Sequence, residues 1–475
     1  MWSTTLIYGL FLVISIAPGR SIITPIKNDS AGNIVEKIAE DFSAWDWKRE
    51  QFLRYAKDYP FGWPRFDCSV PATSLTPAED VHHLAPWHVS VIGAIGDSLT
   101  AGRAAGAEYL SDLVLDYRGL SFAMGAEKNL TRQASLFNIF SHFSPSLKGK
   151  SSGTATSHNV SVAGFNLADS GAVSEDLLEQ ANSLVKRMRS HPEIDFDNSW
   201  KFVNVFIGSN DLCRICENTT RFSVNQFTDN IRKSLTFLRE NLPKTYVNLI
   251  PPFHVEILLE TQTDNPFCVE LQRLLTKEEY AAIKRSFDSG LSEFLGAEYQ
   301  TKNFAVGISP GFNVDKLASL GNVLNLAFVA LDCFHFSEIA HDMVAKIIWR
   351  DLLLPIHTRS PVDLNQFQPQ LWDCPSMDCP YLRTALNSQS CKSGESYVPS
   401  LPYAIRVTYE NTVLLPHMDE LDRRAFMEEY GLILTVTIVG IALVIGLTCL
   451  VLSFGERKEP PKKKPDERTP LLIHL

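Results

Sequence analysis

The chain has 475 residues, a formal net charge of −10, 45% hydrophobic residues and 21% charged residues. That balance excludes an intrinsically disordered chain and calls for a packed core. No sizeable basic patch lies outside the extreme C-terminus, which argues against nucleic acid as a partner.

Residues 1–20 carry the apolar run Leu6–Ala17 followed by Pro18-Gly19, and read as a secretory signal peptide. Residues 21–87 are rich in aromatics, among them Trp45, Trp47, Trp63 and Phe66. Linkers are poor in such residues, so this segment is expected to pack on the main domain.

Residues 88–359 alternate between two patterns. Apolar, β-branched runs at Val89–Ile95, Asn159–Val162, Lys201–Ile207, Thr245–Ile250 and Asn303–Ile308 predict about five strands. Helical periodicity marks Ser174–Ser190, Phe227–Leu242, Lys277–Leu295 and Ser337–Leu353, with Ser174 and Ser337 as candidate N-caps. Such alternation predicts an α/β domain, a parallel sheet covered by helices on both faces. The pattern breaks at Pro361, and residues 360–429 read as a Cys- and Pro-containing extension leading into a stalk.

Gly431–Phe454 has neither charge nor proline, so residues 430–454 are expected to form a transmembrane helix. Arg457, Lys458 and Lys462–Lys464 follow it, which places residues 455–475 in the cytosol. The expected product is a single-pass type I protein with an extracellular or luminal body, at the plasma membrane or in endosomes and lysosomes. In the tail, Glu467, Leu471 and Leu472 fit an acidic dileucine sorting signal of the kind clathrin adaptors read.

The compartment accounts for the cysteines. Eight of the nine lie outside the apolar span, an even number suited to disulfides. Cys213-x-x-Cys216 has no companion pair at zinc spacing and is expected to close a short disulfide loop. Sequons at Asn28, Asn129, Asn159 and Asn218 are expected surface glycosylation sites.

The stretch Ile95-Gly96-Asp97-Ser98-Leu99-Thr100-Ala101-Gly102 ends the first strand in a glycine turn with a serine on it. Strand carboxyl ends are where α/β proteins place their chemistry. A serine nucleophile needs a base, an orienting acid and oxyanion donors. His335 is the candidate base, with Asp332 three residues earlier to hold its Nδ1–H. Asn210 follows the strand Lys201–Ile207 and offers a side-chain amide, and Gly171 offers a backbone N–H that a substrate can approach closely. Asp211, beside Asn210, is a rival for the acid.

Six blocks carry a resemblance. They are Gly96–Gly102, Tyr117–Ser121, Gly171–Asp176, Val205–Cys213, Asp332–Ser337 and Cys379–Thr384. Together they resemble the GDSL (SGNH) lipase/esterase superfamily, most strongly its membrane-associated phospholipase B branch. The resemblance implies a flavodoxin-like three-layer hydrolase fold, with Ser98 as nucleophile, His335 as base and Asp332 as its orienter. It also implies an oxyanion hole built from the Ser98 N–H, Gly171 and Asn210, with no metal or cofactor. The chain departs from that branch in carrying one copy of the domain rather than several, and it lacks the Gly-x-Ser-x-Gly elbow. Hydrolysis of phospholipids and lysophospholipids is the expected activity. Neutral glycerides or retinyl esters are the alternative substrates, and a catalytically inactive lipid-binding or receptor ectodomain is the alternative of another class.

Overall fold

A computed structural model describes residue 57 and residues 59–71, 76–255, 275–313, 328–332, 334–363 and 367–391. The expected signal peptide, Asn28, Cys268, Cys333, the apolar span and the sorting signal lie outside these residues. Among the described residues, no helix is long and apolar enough to cross a membrane.

Four strands form the main sheet: β1 Val89–Gly96, β2 Trp200–Phe206, β3 Thr245–Ile250 and β4 Phe304–Ile308. They run in the order β1-β2-β3-β4, all parallel. The helices that surround the sheet and the site are α1 Ser98–Ala101, α2 Leu136–Phe143, α3 Leu177–Arg189, α4 Ser209–Cys213, α5 Val224–Asn241, α6 Lys277–Leu291 and α7 Glu338–Leu353.

Strand register shows which helices lie on which face. Gly93 pairs with Val203, and Ile92 pairs with Phe202. Successive residues of a strand point to opposite faces. A Cβ on Gly93 would lie 2.7 Å from Met188 Cε, so its face meets α3. Phe202 packs against Phe140 of α2, which in turn meets Trp349 of α7. The sheet is therefore covered on both sides, by α3 on one and by α2 with α7 on the other. β2 and β3 are buried along their whole length, as a parallel sheet requires.

Ser223, Thr276 and Ser337 each accept a backbone N–H at the start of their helices, which explains where α5, α6 and α7 begin. Two sequence expectations fail here. Asn159–Val162 is not a strand; Val160–Ala163 forms a single helical turn closed by Gly164 at φ +55°. The outer edge of β1 meets only isolated bridges to Lys148 and Asn166. A four-residue run carries too little pattern to impose a strand, and its Val160 is exposed. Ser174 does not cap α3: it opens a 3₁₀ turn three residues before that helix, its Oγ accepts the Asn230 amide and its hydroxyl is donated to Asp211.

The segments flanking the sheet form a collar on α7. Asp342 and Lys346 are fully buried, with Nζ 2.6 Å from Oδ2. Asp342 also accepts N–H groups of Gly62 and Ala134 and the Tyr59 hydroxyl, and Lys346 donates to the Pro60 carbonyl. Cys68 is joined to Cys374, and the Trp63 indole donates to the Pro369 carbonyl. Further on, Cys379 is joined to Cys391, and buried Arg383 donates to the Leu353 and Cys391 carbonyls. Residues 367–391 are thus packed onto the body.

The expected Cys213–Cys216 disulfide is absent; both thiols are free. Each has other surroundings. Cys213 is pushed up to about 12 by burial and by the nearby Asp97 and Asp211, and Cys216 is hydrogen-bonded to Tyr280.

Asp342→Ala should strand a buried ammonium and three donors. Chemical denaturation is expected to show a loss of about 3–5 kcal/mol, far above the cost at an exposed ion pair such as Arg214–Glu217.

Candidate active site

β1 ends at Gly96, whose φ is +154°. A Cβ there would lie 2.1 Å from the Phe206 carbonyl oxygen, so no side chain fits. Gln180 of α3 clamps the same residue in both directions: its Oε1 accepts the Gly96 N–H at 2.8 Å and its Nε2 donates to the Gly96 carbonyl at 2.9 Å. The Asp97 N–H then reaches the Phe206 carbonyl at 3.3 Å. Asp97 caps α1 by accepting the Leu99 N–H at 3.0 Å, and Ser98 is the first residue of that turn, nearly buried. Gly102 closes the turn in the left-handed region, at φ +82°.

β2 ends beside it. Gly208 lies at φ +112°, where a Cβ would strike Phe227 and Pro252, and α4 follows. Asn210 Nδ2 donates to the Ala172 carbonyl at 2.8 Å, which holds α4 against the Gly171 loop. One amide hydrogen is so used and the second remains for another acceptor. Gly171 has φ +84° and open space where a Cβ would point. Its loop is tied to β1 by Leu167 N–H to the Ala94 carbonyl and Asp169 N–H to the Gly96 carbonyl.

Asp332 and His335 occupy one loop before α7. Asp332 Oδ2 is 2.5 Å from His335 Nδ1, and its Oδ1 accepts the N–H groups of Phe334 and His335. Burial by itself would raise this carboxyl. The His335 charge and these hydrogen bonds outweigh it and hold the group at about 2. With Nδ1 facing a carboxylate, that nitrogen carries the proton and Nε2 is the basic one. The loop is brought to the β1 and β2 ends through Phe336, which stacks on Phe206.

Asp211 is engaged elsewhere. Its two oxygens accept the Ser174 hydroxyl at 2.6 Å and the Ser174 N–H at 2.9 Å. Burial raises its carboxyl despite these bonds. Asp332, and not Asp211, is the carboxylate bonded to His335.

Several residues had no assigned role in the sequence. Gln180 falls inside the apolar stripe of α3, and a polar residue on a buried face is the signal that marks it. Arg118 is fully buried and donates to the carbonyls of Ala155, Asn166 and Ala168, besides pairing with Asp116. It fixes the strand edge that leads into the Gly171 loop. His341 is pushed down to about 3 by burial and by His335, and it accepts the Phe122 N–H. Asp97 carries a buried Oδ2 with no hydrogen-bond partner. Its carboxyl is pushed up to about 7, by burial and further by Asp211, although the Leu99 N–H opposes the shift.

Among the described residues, no group of three or more His, Cys, Asp or Glu is placed to hold a metal. Asn129, Asn159 and Asn218 are exposed.

A covered parallel sheet with a serine turn at one strand end and an Asp–His pair on a neighbouring loop defines an α/β ester-hydrolase architecture. The chain belongs to the GDSL-like lipase/acylhydrolase family, whose sequence profile matches residues 92–348, more than half of it. It is similar to membrane-associated phospholipase B1 of Mus musculus, at 35% identity over 343 residues covering 68% of this chain and 23% of that protein. Human phospholipase B1 is 32% identical over 380 residues, covering 75% of this chain and 26% of that protein. The chain thus spans about a quarter of the length of these relatives. A putative GDSL-like lipase from Parabacteroides merdae aligns at 15% identity over 55% of this chain and 94% of its own, with a TM-score of 0.29, too loose a superposition to carry weight.

The Asp97 shift has a stability consequence. The folded form holds a proton that the unfolded chain releases near 3.8, so stability falls as pH rises from about 4 to about 7. Asp97→Asn should remove a slope of up to about 1.4 kcal/mol per pH unit in that window. Denaturation midpoints of the two proteins across pH 4–7 check it.

Proposed function

We infer that this protein hydrolyses acyl esters of phospholipids and lysophospholipids through an acyl-serine intermediate. The observation that carries the reading is the Asp332–His335 hydrogen bond, which directs a basic Nε2 away from the carboxylate. Family membership and the likeness to phospholipase B1 support the substrate class.

Ser98 Oγ attacks the acyl carbonyl while His335 Nε2 takes its proton. Asp332 holds the imidazole in place and stabilises the imidazolium. The Ser98 and Gly171 N–H groups and the second Asn210 amide hydrogen receive the oxyanion. His335 then gives its proton to the departing alcohol or lysolipid oxygen. A water, deprotonated by the same histidine, releases the fatty acid and restores Ser98. Asp211 is a brace in this scheme: it holds Ser174, and through it the Gly171 loop.

The apolar run at 431–454, followed by lysines, supports a single-pass anchor that keeps the domain at a bilayer. The dileucine pattern supports adaptor-driven sorting of the anchored protein.

Ser98→Ala should lower turnover of phospholipid micelles by about 10⁴-fold or more and abolish labelling by a fluorophosphonate. Asp332→Asn should cost about 10³- to 10⁴-fold in kcat. Asp211→Asn is expected to stay within about tenfold of the parent, since the amide oxygen still accepts the Ser174 N–H and the Ser174 hydroxyl can turn to accept from the amide nitrogen. A larger loss from Asp211→Asn than from Asp332→Asn overturns the assignment. Full activity in Ser98→Ala overturns the mechanism.

A further inference from the structure

Ser98 and His335 come from loops far apart in the chain, so the distance between them is set by whatever ties the two loops together. One tie is aromatic: Phe336 stacks on Phe206 with ring centroids 6.4 Å apart. A ring contact holds a separation, but a hydrogen bond also holds a direction. A second, directional tie runs behind the site through His341.

His341 lies in the first turn of α7, six residues after His335, and is buried. Its Nδ1 accepts the Phe122 N–H at 3.2 Å. Its ring lies parallel to the Phe122 ring and edge-on to Phe336. Phe122 is itself fixed, since its carbonyl accepts the Leu136 N–H at 2.8 Å where α2 begins. The preceding residue, Ser121, donates its hydroxyl to the Thr100 carbonyl at 2.7 Å. Thr100 belongs to α1, the turn that Ser98 opens. Two hydrogen bonds and one peptide unit thus join the helix behind His335 to the turn that carries Ser98.

Packing by itself does not call for a histidine here. The Nε2 of His341 is buried without a hydrogen-bond partner, a cost that a leucine of similar volume would avoid. What the leucine lacks is the accepting Nδ1. Burial and the nearby His335 push this imidazole down to about 3, so it stays neutral and Nδ1 keeps the lone pair offered to Phe122. A neutral ring also adds no positive charge beside His335, which must itself become an imidazolium during the reaction.

We propose that His341 is a positioning residue: it sets the His335 imidazole within reach of Ser98 by tying α7 to the Ser98 turn through Phe122 and Ser121. The proposal rests on the reading of Ser98 and His335 as nucleophile and base. His341 acts only through them and touches no reacting atom.

The test uses the full chain in detergent micelles with p-nitrophenyl butyrate, and kcat is expressed per site titrated to completion by a fluorophosphonate. His341→Leu fills the space but offers no acceptor. Its kcat should fall about ten- to a hundredfold while KM stays within about twofold. His341→Asn puts an amide Oδ1 where Nδ1 stood, and should return kcat to within about fivefold of the parent although it fills less space. Ser121→Ala cuts the same tie at its other end. Its loss should be smaller, because Asn166 Nδ2 also donates to the Thr100 carbonyl. The two losses should not multiply: the double variant is expected within about twofold of His341→Leu alone. If His341→Leu does not fold, His341→Gln replaces it with the same expectation, since its amide lies one bond too far along to meet the Phe122 N–H. Parent-like kcat per titrated site in the acceptor-free variant overturns the proposal. So does an Asn variant no better than that one, or losses that multiply in the double variant. A parent that neither cleaves the ester nor reacts with the fluorophosphonate overturns the hydrolase reading instead.

Discussion

The site depends on a close approach between Gly96 and the Phe206 carbonyl. The two residues are register partners at the ends of β1 and β2, and the gap leaves no room for a Cβ. Gln180 holds the Gly96 peptide from the other side with two hydrogen bonds. From this junction the Ser98 turn leaves in one direction and the Asn210 turn in the other. The Phe206 ring receives Phe336 from the His335 loop, so a third loop is positioned from the same point. Three catalytic candidates therefore owe their proximity to one place where two parallel strands end together. A side chain at position 96 would separate them before any catalytic group was touched.

Three buried carboxylates near this junction show how surroundings divide labour among like groups. Asp332 receives two N–H donors and an imidazole, and stays ionised. Asp211 receives one residue's hydroxyl and N–H, and serves as a brace. Asp97 receives a single N–H and keeps one oxygen without a partner, so burial favours its protonated form. A protonated Asp97 is consistent with the proposed mechanism, in which a fixed negative charge beside Ser98 would oppose the oxyanion. The number of donors aimed at each group, and not its residue type, separates orienter, brace and cap.

The collar around α7 serves the same site from behind. α7 begins three residues after His335, so movement of the helix would carry the histidine with it. Asp342 and Lys346 tie the helix to Tyr59, Pro60, Gly62 and Ala134, and the Cys68–Cys374 bridge joins the two flanking segments. An ion pair this deep gains little stability over an apolar pair, yet it is costly to break on one side. It therefore fixes geometry more than it adds stability.

Local chemistry in the sequence was enough for the parallel α/β architecture, for α5 to α7 with Ser337 as a cap, and for the blocks holding Ser98, Asn210 and His335. Those features depend on periodicity, turn residues and spacing within a few positions, all of which are local. The sequence also placed Asp332 three residues from His335, close enough to meet it without help from the fold. It left Asp211 as the less favoured rival, since adjacency to Asn210 says nothing about which way a carboxylate points. Tertiary structure gave His335 to Asp332 and Asp211 to Ser174, the latter a contact across 37 residues. It turned Asn159–Val162 into a helical turn, because four residues carry too little pattern to outweigh their surroundings. It left Cys213 and Cys216 as separate thiols. Gln180 is marked in the sequence only as a polar residue in an apolar stripe, and the roles of Arg118 and the buried Asp97 became legible only in three dimensions, because what defines each is a set of backbone groups or an absence of water that folding alone brings about.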